Sequence, residues 1–130
     1  MYLVDTNTVI YLFKGKGNVF QNMNRVSSQD ISISILTFYE LQVGLAKSQA
    51  PERQSRQINL LVDQVIIAEF DTTAAIASAA VRAGLEAKGT PIGPVDTLIA
   101  GTAISLNATL VTHNTKEFQR VPGLSITDWF

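Results

Sequence analysis

The sequence predicts an α/β fold: a central parallel sheet of about five strands with helices on both faces. Three observations lead there. Strand-like segments alternate with helical ones along the whole chain. Ile31-Ser32-Ile33-Ser34-Ile35 alternates with a period of two, which is the mark of a strand. Asp5 follows the first hydrophobic run, Tyr2-Leu3-Val4, and opens a stretch that reads as helix. A carboxylate in that place lies at the carboxyl edge of a sheet, where open α/β folds bind their ligands.

The elements follow in order. Tyr2 to Val4 is a short buried strand. Thr6 to Phe13 is a helix that ends before Gly15 and Gly17, and Val19 to Val26 is a second short helix. After the Ile/Ser strand, Thr37 to Ala46 is helical, and Thr37-Phe38-Tyr39-Glu40 fits a capping box at its start. Pro51 suits the first turn of a helix running to about Gln64. Val65 to Phe70 has the β-branched content of a strand. Asp71 caps an Ala-rich helix from Thr72 to Lys88, which Gly89 stops. Pro94 to Leu106 is a further helix, Ala108 to Thr112 a strand, Thr115 to Phe118 a helical turn, and Leu124 to Thr127 an edge strand. With the first strand central, the carboxyl ends of strands one and four meet at a switch point. Asp5 and Asn114 then face one crevice.

A chain of 130 residues fits one domain, 1–130. Its 46% hydrophobic content fills a core with some excess for an interface. The absence of cysteine excludes a disulfide frame and a thiolate zinc site. The first strand begins at once with no leader ahead of it, and no apolar run reaches membrane-spanning length. A cytoplasmic protein with no membrane partner is expected. A net charge of −1 argues against a purely electrostatic nucleic-acid binder. It is compatible with a metal nuclease, whose metal-holding acids count against its bases.

Asp5, Glu40 and Asp96 each have a structural reading. Asp5 can cap the helix it precedes, Glu40 can close the capping box, and Asp96 can complement the dipole of the helix opened by Pro94, worth about 0.3–1 kcal/mol. None of these explains why all three belong to turns at the same sheet edge. Gathered carboxylates repel each other, and a hard divalent cation relieves the repulsion. Asn114, after Thr109-Leu110-Val111-Thr112, is a fourth polar group at that edge. Glu117 lies close enough in sequence to reach the site directly or through water. Asp30, Glu52, Asp63, Glu69, Asp71, Glu86 and Asp128 read as caps or solvated charges. His113, the sole histidine, reads as a loop residue before a general base. Gly-rich phosphate loops, a serine elbow and HExxH are all missing.

Four segments together resemble a known family. They are Leu3-Val4-Asp5-Thr6-Asn7, Tyr39-Glu40-Leu41, Ile92-Gly93-Pro94-Val95-Asp96-Thr97-Leu98-Ile99-Ala100, and Leu110-Val111-Thr112-His113-Asn114-Thr115-Lys116-Glu117-Phe118. Their order and spacing are similar to PIN domains, and more narrowly to VapC-type toxins of type II toxin–antitoxin pairs. Arg120-Val121-Pro122-Gly123-Leu124 and Asp128-Trp129 extend the likeness to the end of the chain. The resemblance implies a single PIN domain and an endoribonuclease dependent on Mg2+ or Mn2+. It implies metal-site acids at Asp5, Glu40 and Asp96, and Asn114 where many PIN domains carry a fourth acid. Thr6, Asn7 and Thr112 match polar positions that orient ligands or waters, with Glu117 beside them. It also implies a homodimer, an RNA substrate that can be tRNA, and a cognate VapB-type antitoxin. Lys14, Lys47 and Lys116 are candidate phosphate contacts at the rim.

Two rival readings remain. A haloacid-dehalogenase-like phosphatase also places an aspartate after its first strand, but its second aspartate, the general acid, is Asn7 here. An amide cannot supply that proton. The other rival is a catalytically silent PIN-fold interaction module, which the neutral Asn114 permits and three intact acids oppose.

Overall fold

A computed structural model describes all 130 residues. The hydrophobic run at the start becomes β1 (Tyr2–Val4), and Asp5 turns the chain into α1 (Thr6–Lys14) by accepting a hydrogen bond from the Thr8 backbone N–H at 2.9 Å. Gly15, at φ 65°, ends that helix with a left-handed cap whose N–H reaches Leu12 O. The chain continues through α2 (Val19–Met23), a 3-10 turn at Ser28–Asp30, β2 (Ile31–Ser34), α3 (Ile35–Ala46), α4 (Pro51–Gln64) and β3 (Ile66–Ala68). Next come α5 (Thr72–Ala87), α6 (Pro94–Ser105), β4 (Thr109–Val111), α7 (Thr115–Phe118) and β5 (Ile126–Thr127).

All strand pairs are parallel, in the order β3-β2-β1-β4-β5. β1 is therefore central. The chain leaves β1 towards β2 on one side, while β4 lies on the other, so a crevice opens at their carboxyl ends. The pleat of β1 and β4 divides the core. Leu3 and Leu110 face a cluster built with Val81, Leu85, Ile99 and Phe118 of α5, α6 and α7. Val4 and Val111 face the opposite cluster, built with Val9, Leu41, Ile58 and Leu61 of α1, α3 and α4.

The structure corrects the sequence reading in several places. The capping box at Thr37 does not form. Ser34 is the cap: its hydroxyl, three residues before Thr37, accepts from Leu36 N–H at 3.0 Å, and α3 starts at Ile35. Thr37 lies inside the first turn with Glu40 one turn on, free to face the cleft. The serines of β2 are as buried as its isoleucines, because β2 has a strand on each side and helices on both faces. Ser32 satisfies its hydroxyl on Tyr2 O at 3.1 Å. The second helix stops at Met23 rather than Val26, where Asn24 N–H bonds back to Phe20 O. β3 and β5 are shorter than the sequence suggests, because each is limited to the residues its neighbour can pair: Ser32–Ser34 for β3, Leu110 and Val111 for β5.

Candidate active site

Asp5 is carried to the crevice by β1 and is almost completely buried. Its backbone N–H bonds to Val111 O at 3.0 Å, which ties the acid to the end of β4. Burial pushes its carboxyl pKa up. Hydrogen bonds from Thr112 and Thr8 pull it partly back, and the charge of Asp128 adds to the rise. Thr112 is fully buried, and its oxygen also accepts from Asn114 N–H at 3.0 Å. The first residue after β4 thus orients Asp5 and the start of the following loop together.

Glu40 comes from the second turn of α3. The Thr6 hydroxyl lies 2.5 Å from its Oε1 and 3.1 Å from Thr37 Oγ1. A hydroxyl has one proton, so Thr6 donates to the carboxylate and accepts from Thr37. The chain Thr37–Thr6–Glu40 fixes the acid against α1. Asp96 comes from the first turn of α6, behind Pro94 at the helix start. Thr97 holds that turn through its N–H and its hydroxyl, both on Gly93 O, at 2.9 and 3.0 Å. The Asp96 pKa is raised to about 6. Burial is the main cause, and the charges of Asp5, Glu117 and Glu40 follow in that order.

These acids share one polar cleft of about 280 Å3, lined by Asp5, Thr6, Asn7, Glu40, Gly93, Pro94, Val95 and Asp96. Five residues expected at the site from sequence, Asp5, Thr6, Asn7, Glu40 and Asp96, thus meet in it. Asn114 is placed otherwise. It does not line the cleft, and its side-chain amide donates to Glu117 Oε2 at 2.7 Å. Glu117 acts on Asp96 through its charge more strongly than Glu40 does, so it is the fourth acid of this neighbourhood. The carboxylates ring the cleft and do not close into a ready-made cage of three.

His113 points to the C-terminal end of the chain. Its Nδ1 lies 2.9 Å from Asp128 Oδ2, its ring stacks on Phe130 with centroids 4.1 Å apart, and Tyr11 meets it edge-on at 5.8 Å. With Phe130 O accepting from Asn18 N–H, this cluster fastens the chain end to the loop after α1. Sequence reasoning set Asp128 aside as a solvated charge. Its influence on Asp5 arises only because β5 lies beside β4, which no local spacing reveals.

The chain matches the PIN domain family over residues 2–124. It is 39% identical over 128 residues to the tRNA(fMet)-specific endonuclease VapC of Salmonella typhimurium strain LT2, covering 98% of this chain and 97% of that one. It is 35% identical over 131 residues to Ribonuclease VapC2 of Rickettsia felis, covering 99% and 98%. The chain belongs to the PIN-domain family, among the VapC ribonucleases. The structure of DNA-bound VapBC from Salmonella typhimurium superposes with a TM-score of 0.93 at 39% identity, over 99% of this chain and 98% of that one. This fold places an acid-lined cleft at the sheet's switch point in a VapC-family chain, with Asp5 directly after its central strand.

Proposed function

We propose that this VapC-family protein is a divalent-metal-dependent endoribonuclease, the toxin of a type II toxin–antitoxin pair, acting in the cytoplasm on RNA that can be tRNA. The observation that carries the reading is the cleft where Asp5, Glu40 and Asp96 converge from three separate elements, with Asp96 held near a pKa of 6. Structural caps have no need of this crowding.

The residues fit Mg2+ or Mn2+. They offer only oxygen donors, which suit a hard ion that keeps several waters and takes few carboxylates. Asp5 and Asp96 would hold it. A bound ion supplies Lewis acidity and lowers the pKa of a coordinated water. Asp5, kept rigid by Thr8 and Thr112, fixes the position of the site. Glu40, oriented by Thr6, positions the attacking water. Asn7, exposed on the rim, faces the substrate side. Asn114 holds Glu117, and Glu117 adds negative charge close to Asp96.

RNA cleavage that needs Mg2+ or Mn2+ and stops on chelation tests the activity. Metal should also raise the melting temperature of the wild type and much less that of Asp5→Asn, since a ligand that binds only the folded state stabilises it by mass action. Equal shifts would contradict a site built on Asp5. The effect should weaken below about pH 6, where Asp96 takes up a proton that a metal must displace.

Glu117→Gln should lower the Asp96 pKa by removing a neighbouring charge, and Asn114→Ala should reduce cleavage less than Asp96→Asn does. Carboxyl chemical shifts followed against pH, with cleavage rates, check both. An unmoved Asp96 titration would remove Glu117 from the site.

A VapB-type antitoxin is part of this reading, because relatives of this chain crystallise as VapBC complexes. An apolar groove of about 440 Å3 between α1, α2 and α4, with Phe20 and Leu60 exposed on it, offers such a partner a surface. A homodimer agrees with the exposed Ile35, Tyr39 and Ile76. Co-purification with the neighbouring reading frame's product and light scattering test the two assemblies.

A further inference from the structure

A second groove adjoins the acid cleft and shares Glu40 with it. It has a volume of about 410 Å3 and lies between α1, α3 and α4. Ile10, Phe13, Leu41 and Ile58 form its apolar floor. Lys14 at the end of α1 and Arg53 in the first turn of α4 are its two cations, and Glu40 is its one acid, placed where it meets the cleft. Both cations are exposed, and neither forms an ion pair: the ion pairs of the molecule are Arg82–Glu86 and His113–Asp128.

The placement of these charges is informative in a chain whose net charge is −1. Most of its bases lie elsewhere, yet two of them flank a groove that shares Glu40 with the acid cleft. Lys47, near in sequence to Glu40, lines neither the groove nor the cleft. Arg53 drew no notice in the sequence, because only the packing of α4 against α3 and α1 brings it within the same groove as Lys14 and Glu40.

We infer that Lys14 and Arg53 hold backbone phosphates of the RNA strand leading to the cleft, so that the groove sets which phosphodiester reaches Asp5 and Asp96. The inference rests on the endoribonuclease reading. A planar guanidinium and a mobile ammonium are both phosphate binders, and contacts of this type fix register without reading sequence. The apolar floor, with Phe13 in it, gives an unstacked base a surface out of water. The strand would pass from two positive charges to a site whose negative charge a metal offsets. The two residues are positioning residues: they touch substrate phosphates away from the reacting atoms.

Binding is measured apart from cleavage, using Asp96→Asn protein with a fluorescently labelled single-stranded RNA. Lys14→Gln with Arg53→Gln should weaken binding about tenfold or more. The plot of log affinity against log salt should flatten by about 1.4, the value expected when two fewer phosphates of a single strand are neutralised. In the otherwise wild-type protein the same pair should raise KM and leave kcat nearly unchanged. Arg82→Gln with Lys88→Gln removes the same charge from α5 and the residue after it, and should change neither quantity. Equal losses in both pairs would overturn the inference by showing a general charge effect. Unchanged RNA affinity with loss of the antitoxin complex would overturn it in favour of a protein partner in the groove. The endoribonuclease reading itself fails separately, if wild-type protein with Mg2+ or Mn2+ cuts no RNA.

Discussion

Asp96→Asn is expected to abolish RNA cleavage while making the metal-free protein more stable at neutral pH. The two effects have one cause. Asp96 is surrounded by Asp5, Glu117 and Glu40, and its pKa is raised to about 6 from an ordinary value of 3.8. An acid with a raised folded-state pKa costs stability in its charged form. Below about pH 4 it is protonated both folded and unfolded, and it costs nothing. Between about pH 4 and 6 the folded state binds the extra proton, so stability falls as pH rises, and the full cost remains above pH 6. A shift of this size corresponds to about 3 kcal/mol at most, and partial exposure of the carboxylate reduces it to about 1 kcal/mol. Asparagine keeps the shape and removes the charge, so the gain should be present at pH 7 and vanish near pH 4. Cleavage should fall by more than about 100-fold, the upper range for residues that merely orient metal ligands. Thermal unfolding in chelator at pH 4, 5 and 7, with cleavage rates in Mg2+ or Mn2+, gives both readouts. Retained cleavage would remove Asp96 from the chemistry. A variant no more stable at pH 7 would remove the crowding argument.

Much of this arrangement was legible in the sequence, for local reasons. Asp5 follows a strand and precedes a helix, so its place at a carboxyl edge needed no tertiary information. Asp96 behind Pro94 was legible in the same way. The central position of β1 and the meeting of its end with that of β4 were expected once strands and helices alternated. The start of α3 was misread because two caps compete there, and the hydroxyl of Ser34 reaches a free N–H before that of Thr37 can. The burial of Ser32 and Ser34 rests on hydroxyl partners, Tyr2 O and Leu36 N, that the alternation alone does not identify. The charge of Glu117 on Asp96, that of Asp128 on Asp5, and the sharing of a groove by Arg53 and Glu40 all depend on packing between distant segments. Spacing along the chain carries no trace of them.

The position of Asp96 depends in turn on α6, and α6 is seated on α5 at one unusually close point. There Gly101 faces Ser78. A Cβ at Gly101 would stand 1.9 Å from Ser78 Oγ and 2.6 Å from both its Cα and its backbone N. No rotamer change of Ser78 removes the backbone part of that clash, so Gly101→Ala must push the helices apart. The cost should be about 3 kcal/mol or more, the upper range for overpacking, and the melting temperature should fall by roughly 10 °C or more. Ser78→Gly added to Gly101→Ala should recover only part of the loss, because it relieves the contact with Oγ and leaves those with Cα and N. Ser78→Ala alone should be neutral or stabilising by up to about 1 kcal/mol, since the Ser78 hydroxyl is buried with no hydrogen-bond partner. Asp96 lies five residues before Gly101 on the same helix. Whatever Gly101→Ala protein remains folded should therefore show a smaller metal-induced rise in melting temperature than the wild type. A Gly101→Ala variant that melts with the wild type would mean that α5 and α6 can separate freely. The close packing that sets the Asp96 carboxylate in the cleft would then have no such role.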